Sequence, residues 1–564
     1  MTTEKIGRLA LVALAALLPF EWTQPLVTLG PLAITSLELV LYLALIAWAV
    51  SRVAARRIRW TRVHGAVIAW AAVMILSAVV APTHQAEAFK FALRSLSACA
   101  LFFAAADLAA EPQHAVAMMT ALAAGAAVSA LAALAEVTVP GASAALMAFK
   151  TQPSVVGSFV RASGTFQYAN IGAMYWEAAV PIVLAAGIYQ SIRGNETRRQ
   201  WIAAASAIML IEAILLSVSR AALIGAGLAL AILLVIGPRA VRAGRAPAAI
   251  SLLGLAALTA VNMITSPLLA LRMRTENDSG WYRAEYHVNA PPAQIQASQT
   301  ITISITVRNT GAIPWPASGD QPVHLSYHWH DRSTGQTAVY EGARTALPGD
   351  VQPEEEATLE AHVAAPGAPG SYRLQWDMVH EHVTWFSARG ASTGDVPLQI
   401  TSAPDGSSTA AMSPAPPIVI MSQPARLDLW RAGIEMWLAH PLFGVGPDNF
   451  RHLYGAYLGL PASDTRIHAN SLYVETLADV GLAGILALIA LIVTLIAEAR
   501  RALPGTRRLL VLGLLAALAT FLAHGAVDYF FEFTPTVALF WLCAGTCVGL
   551  CQVIRAHERE PDRV

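Results

Sequence analysis

Arg426–Phe450, RLDLWRAGIEMWLAHPLFGVGPDNF, and Arg466–Gly484, RIHANSLYVETLADVGLAG, decide the fold. The second stretch runs from a polar loop straight into an apolar segment. Together they place Arg426, Arg431, His440, Arg466 and His468 just ahead of the point where the chain goes into a membrane. Leu429, Ala432 or Gly433, Met436 and Trp437 recur at helical spacing. His440-Pro441 and Gly444–Pro447 then end that helix in a loop. Guanidinium and imidazole groups gathered at a membrane surface suit anionic, lipid-linked chemistry.

The surrounding chain supports a membrane setting. Of 564 residues, 55% are hydrophobic and only 13% charged, the balance of a membrane protein rather than a soluble enzyme. The formal net charge is zero, which gives no electrostatic ground for a nucleic-acid partner. Cys99, Cys543, Cys547 and Cys551 all lie in apolar stretches and read as small packing residues. About twelve apolar stretches are long enough to cross a bilayer at roughly 17–25 residues each. They lie near 6–20, 32–50, 64–81, 88–107, 114–136, 169–190, 200–217, 219–237, 246–268, 471–496, 509–527 and 533–554. The first ends in Leu17-Leu18-Pro19-Phe20 without a small-residue cleavage site, and Glu21-Trp22 reads as an interfacial anchor.

Arginine placement orients these spans. Arg52, Arg56, Arg57, Arg59 and Arg62 follow the second; Arg193, Arg198 and Arg199 the sixth; Arg239, Arg242 and Arg245 the eighth. Arg500, Arg501, Arg507 and Arg508 follow the tenth, and Arg555, Arg559 and Arg563 the twelfth. The positive-inside rule puts both termini in the cytoplasm and the long stretch 272–470 outside.

Within that outer stretch the hydrophobic period changes to two. Ile301, Ile303, Ile305 and Val307 alternate with Thr302, Ser304 and Thr306, and similar runs pass through Trp329, Leu359 and Trp376. Turns at Asn309-Thr310-Gly311, Ser333-Thr334-Gly335 and Leu347-Pro348-Gly349 separate them. This pattern predicts an antiparallel β-sandwich of immunoglobulin size. The insert resembles the four-tryptophan immunoglobulin-like domain, carried by NTGAIPW around Trp315, LSYHW around Trp329, YRLQWDMV around Trp376 and TWF around Trp385. The resemblance implies a binding or spacing role; as bare side chains, the tryptophans read as core and rim packing. The expected architecture is therefore an all-α polytopic membrane protein with an inserted extracytoplasmic β-sandwich. Helices one to nine occupy 1–271 and the sandwich 272–402. A linker follows at 403–424, a helical catalytic loop at 425–470, and helices ten to twelve with a cytoplasmic tail at 471–564.

Four outer-face positions carry the chemistry. Arg161 lies in RASGTFQYAN, Arg220 in SVSR between two spans, Arg426 at the start of the outer helix, and His468 ahead of the tenth span. A charge within the bilayer costs about 2.5–3.5 kcal/mol on insertion scales, so Arg220 at a span edge needs a partner or a task. Guanidinium forks bind pyrophosphate bidentately, and imidazole can take a hydroxyl proton near neutral pH.

RASGTFQYAN, SVSRAALIG, RLDLW with HPLFGVGPDNF, HANSLYVETLADVGLAG and HGAVDYFFEF resemble, in this order, the O-antigen ligase and polymerase family of multi-pass glycosyltransferases. The resemblance implies a polyprenyl-pyrophosphate glycan donor and a lipid, glycan or protein acceptor. It implies that Arg220 and Arg426 grip the pyrophosphate and that the histidine before span ten, His468, acts as base. Inversion at the anomeric carbon would follow, with no cofactor and no metal. The candidate substrate-binding residues are Arg161, Asn170, Asp448, Asn470 and Asp528. The family's His-Asn run is His468-Ala469-Asn470 here, so Asn470 stands where the histidine usually does and His468 two residues early. Ala169 stands where a proline usually precedes Asn170. Asp448 can instead cap a helix, and His524, Asp528 and Glu532 can position His468 or Arg220. The rival reading is a transporter or flippase, with Glu38, Arg94, Glu177 and Glu212 lining a path.

Overall fold

The structure is a computed structural model. It describes residues 3–29, 32–53, 60–151, 154–156, 159–236, 242–275, 280–289, 292–319, 321–381, 383–402, 424–460, 462–500 and 507–558. Arg56, Arg57, Arg59, Arg239, Arg501, Arg559 and Arg563, and residues 403–423 of the expected linker, lie outside the described residues.

The chain divides into two compact units, one of Met1–Ser154, Arg161–Asn262 and Pro424–Val564, the other of Val155–Val160 and Met263–Gln423. The helices, in order, are α1 (Thr3–Leu17), α2 (Ser36–Val53), α3 (Arg62–Val80), α4 (Gln85–Leu108), α5 (Pro112–Thr138), α6 (Ala142–Ala145), α7 (Ala169–Gly194), α8 (Thr197–Leu216), α9 (Arg220–Ile236), α10 (Arg242–Thr265), α11 (Pro267–Arg274), α12 (Arg426–Ala439), α13 (Phe450–Tyr457), α14 (Leu472–Arg500), α15 (Arg508–His524) and α16 (Thr534–Glu558).

Each apolar stretch read from the sequence contains one of these helices. Eight are long and apolar enough to cross a membrane, namely α3, α4, α5, α7, α8, α10 (over Ala246–Thr265), α14 and α16 (over Thr534–Gln552); α9 and α15 are shorter apolar helices. The burial pattern follows composition. The apolar windows of α7 and α16 are each 94% buried, whereas that of α10 is 11% buried. A helix apolar on every side belongs at the centre of a bundle. Ile224 on α9 and Leu253 and Ile264 on α10 are 73%, 69% and 83% exposed, which suits a lipid surround. Small residues let helices close up. A Cβ at Gly545 or Gly549 of α16 would come within 2.4 Å of the Phe102 carbonyl or 2.3 Å of the Ala106 carbonyl on α4.

One helix is broken. Inside α14, Gly481 takes φ 70°, ψ −163°, a conformation open essentially to glycine. The strand of loop at 441–446 fills the break. Val445 and Gly446 amides donate to the Ala478 and Asp479 carbonyls at 2.9 Å each, and Leu482 and Ala483 amides donate to Pro441 and Leu442 carbonyls at 2.9 and 3.1 Å. The freed backbone groups are thus repaired within the protein, as a membrane requires. The Asp479 carboxylate accepts the Asp448 and Phe450 amides at 2.7 and 2.8 Å and so caps α13.

The second unit is strand-rich. Its strands are numbered after β1 (Val27–Leu29) and β2 (Leu32–Ile34) of the helical unit: β3 (Val155–Val156), β4 (Phe159–Val160), β5 (Ala284–Val288), β6 (Gln294–Gln296), β7 (Thr300–Asn309), β8 (Val323–Asp331), β9 (Thr337–Val339), β10 (Thr345–Ala346), β11 (Glu356–Ala364), β12 (Gly370–His380), β13 (Thr384–Trp385) and β14 (Gly394–Thr401). One sheet runs β10-β8-β12-β14-β6, with β13 on β12 and β9 on β8; another runs β11-β7-β5. Inward residues of both sheets share one core, and β11 alternates strictly between buried and exposed positions. The all-antiparallel expectation needs a correction. β6 leaves the β5–β7 hairpin to pair with β14, and that pair is parallel. Trp315, Trp329 and Trp376 are fully buried, and Trp385 is 9% exposed beneath the Arg344 guanidinium, 4.7 Å from its ring centroid. All four pack as core and rim.

Candidate active site

Arg161 sits in a strap that a buried ion pair holds in place. Lys150 and Glu136 meet at 2.5 Å with both side chains fully buried. Glu136 also accepts the Ser163 and Gly164 amides at 2.9 and 2.8 Å, and Lys150 donates to the Ser163 hydroxyl at 2.6 Å. From this anchor Arg161 Nε donates to the Ser217 carbonyl at 2.8 Å, and Nη2 donates to Asn170 Oδ1 at 2.5 Å. Asn170, in the first turn of α7, passes its own amide to Asp528 Oδ2 at 2.9 Å.

Asp528 is where the distant pieces meet. Burial raises its pKa, while the Tyr529 amide, Asn170 and the charges of Arg426 and Arg161 pull it back. Its carbonyl and that of Gly525 accept the Leu472 amide, fixing the start of α14. Arg426 opens α12 and is exposed; the Trp430 indole on the same helix donates to the Ala469 carbonyl at 2.9 Å, tying α12 to the His468–Asn470 loop. Arg161, Asn170, Asp528 and Arg426 thus fall in one electrostatic neighbourhood. Arg220, half-buried, opens α9 just after the Ser217 carbonyl that Arg161 holds. Val218 in that turn takes φ 57°, an outlier for a β-branched residue kept by the contacts around it. Asn470 is half-buried at φ 50°, which turns the chain into α14.

His468 occupies a second cluster. Its Nδ1 hydrogen-bonds Glu475, its Nε2 lies 2.8 Å from Glu532 Oε2, and its ring leans on Tyr529 at 5.2 Å. Burial disfavours the charged ring, but Glu475 and Glu532 outweigh it and hold the His468 pKa well above its ordinary value. Both ring nitrogens thus face carboxylates, an arrangement that favours the charged ring. Arg451 joins the cluster, 2.5 Å from Asp448 and 3.8 Å from Glu532. Burial pushes Asp448 up to about 6, against the pull of Arg451 and His468 and with Glu532 and Glu475 adding to the rise. Asp448 Oδ1 and Arg451 Nε are buried with no hydrogen-bond partner among the described residues.

Residues 383–489 match the family model described as O-antigen ligase. The match spans less than a fifth of the chain. The ligase match takes in Arg426, Asp448, His468 and Asn470, whereas Arg161, Asn170, Arg220, Asp528 and Glu532 lie outside it. No curated protein matches the chain. Among solved structures, the Pseudomonas fluorescens alkylpurine DNA glycosylase AlkC, bound to DNA containing an abasic site analog, aligns at 12% identity over 60% of this chain and 98% of that one, with a TM-score of 0.14. So slight a likeness carries no argument.

Two members of the His468 cluster escaped the sequence reading. Glu475 is a carboxylate in the first turn of an apolar span, and an ionisable group there is a signal in itself. Arg451 carried no such mark, since it lies in the short helix α13 outside the apolar stretches. The carboxylates expected to line a transport path each have a partner: Glu38 with Arg94 at 2.6 Å, Glu177 with His524 at 3.0 Å, and Glu212 with Asn262 at 3.3 Å. His524 thus braces Glu177.

Proposed function

We propose that this membrane protein is a glycosyltransferase that moves a glycan from polyprenyl pyrophosphate to a lipid, glycan or protein acceptor at the outer face of the cytoplasmic membrane. The observation that carries the reading is the ligase-family match across the stretch that holds Arg426 and His468. On this reading all twelve apolar helices span, both termini are cytoplasmic, and the strand-rich unit is an external immunoglobulin-like sandwich with a binding or spacing role.

Arg220 and Arg426 would clamp the pyrophosphate and stabilise the charge that builds on it as the glycosidic bond breaks. Arg161 has two nitrogens committed to Ser217 and Asn170, which suits a part in positioning the clamp. Asp448, with an unpartnered buried oxygen, suits a hydroxyl of the donor sugar. His468, expected as the base, is flanked by Glu475 and Glu532, which suits it equally to holding a positive charge beside them. The reaction inverts the anomeric carbon and asks for no metal.

Reconstituted protein, supplied with a polyprenyl-pyrophosphate oligosaccharide and candidate acceptors and read by mass spectrometry, tests the assignment. Arg220→Ala and Arg426→Ala should each abolish transfer while the folded protein is retained. Full transfer by both variants would sink it.

A further inference from the structure

Glu532 has neighbours of two kinds. On one is His468, 2.8 Å away. The other is a cavity of about 170 Å³ whose wall Glu532 shares with Glu21, Trp22, Arg94, Gln167 and Phe533. The Thr35 hydroxyl donates to Glu21 at 2.6 Å, and Glu38 fixes Arg94 at 2.6 Å, so the wall's charged groups are held in place. Trp22 is 49% exposed, and the Glu532 side chain keeps 27% of its surface open.

The size and chemistry of this cavity select a ligand class. It is smaller than the ~300–1,000 Å³ of drug-sized sites, so it admits a single ring. Carboxylates and an amide accept hydrogen bonds from hydroxyls, a guanidinium donates to ring oxygens, and aromatic faces cover apolar C–H surface. An isoprenoid or acyl chain would cover the cavity-facing polar surface of Glu21, Arg94 and Glu532 without offering it a hydrogen bond, at a cost. A sugar ring satisfies both kinds of wall.

We propose that this cavity binds the acceptor sugar and that Glu532 takes the proton of the attacking hydroxyl; the proposal rests on the transferase reading above. The hydroxyl oxygen bonds to the donor's anomeric carbon. The bond from that carbon to the pyrophosphate oxygen breaks, and its electron pair leaves with the pyrophosphate. The hydroxyl proton passes to a Glu532 carboxylate oxygen, as a carboxylate base serves in inverting glycosyl transfer to water.

The test uses the full chain in lipid nanodiscs. Methyl β-D-glucopyranoside and methyl β-D-galactopyranoside are the binding probes, followed by saturation-transfer NMR. At least one should bind saturably, and Trp22→Ala or Gln167→Ala should weaken it about tenfold, the worth of one contact. In turnover, Gln167→Ala should raise the acceptor KM and leave the donor KM and kcat unchanged. Glu532→Gln should lower kcat by about 10²–10⁴, and Glu532→Asp should restore part of the rate. Absent glycoside binding, binding indifferent to both substitutions, or an effect on the donor KM alone overturns the subsite. A fully active Glu532→Gln overturns the proton transfer. If instead Arg220→Ala and Arg426→Ala transfer normally, the transferase reading fails while the glycoside-binding result stands on its own.

Discussion

Asn170 donates its side-chain amide to Asp528 at 2.9 Å across 358 residues of chain, and on its other side accepts Arg161 at 2.5 Å. An amide is the group that fits there, because it must accept from a guanidinium and donate to a carboxylate at once. Asn170→Ala should leave the half-buried Asp528 carboxylate short of a donor, costing about 1–3 kcal/mol, and should lower transfer. Asn170→Asp should be worse despite its shape, since two carboxylates would then face each other. Thermal unfolding and turnover of the two variants check the order.

The strap that presents Arg161 depends on the Lys150–Glu136 pair. Removing one member of a buried ion pair strands the other and costs about 3–5 kcal/mol. Lys150→Met alone should therefore destabilise the protein strongly and weaken transfer. The double change Glu136→Gln with Lys150→Met should recover much of the stability, because no charge is left buried. If the double variant is no more stable than the single one in thermal unfolding, the pair is not what holds the strap.

Gly481 marks where helix α14 opens to receive residues 441–446. A Cβ there would come within 2.6 Å of the Leu442 carbonyl carbon, at a φ of 70°. Gly481→Ala should cost at least about 1–3 kcal/mol from backbone strain alone and displace Asp479 from its two amide contacts. Proteolysis between residues 441 and 450, compared with the parent protein, would reveal the released loop. An unchanged digestion pattern would contradict the account.

How much of this was legible in the sequence divides along range. Apolar length and period-two alternation are local, so a helix stands in every apolar stretch and β7, β8, β11 and β12 run along the alternating segments. Arg161, Asn170, Arg426 and Asp528 stood out because polar groups flanking spans are few, and the structure places them together. The break at Gly481 was hidden because LADVGLAG reads as uninterrupted helix; only the loop from residues 441–446 makes the break stable. The parallel pairing of β6 with β14 was hidden likewise, since three residues at 294–296 carry no sign of which sheet they join. His468 was legible as a site, but its charge state depends on Glu475, seven residues on, and Glu532, from the far end of the chain.

That charge state gives the last prediction its sign. Burial raises the Glu532 pKa, but His468, Arg451 and Arg94 outweigh it and hold it below the ordinary 4.5; Asp448 and Tyr529 lie near it, and Glu21 and Glu38 line the cavities it borders. If Glu532 takes the hydroxyl proton, its working form is ionised, so activity should be flat through neutral pH and fall only in acid below the usual glutamate range. Replacing His468 with Asn removes the largest opposing influence, so Glu532 should hold protons to higher pH and the acid limb should move upward. If His468 were itself the base, its working form would be neutral. Activity would then climb as pH rises through a pKa held above 6.5, and His468→Asn would erase that climb rather than shift an acid limb. The pH dependence of kcat for the parent and the His468→Asn protein separates the two, and an alkaline-rising profile in the parent would reject Glu532 as the acceptor of the proton.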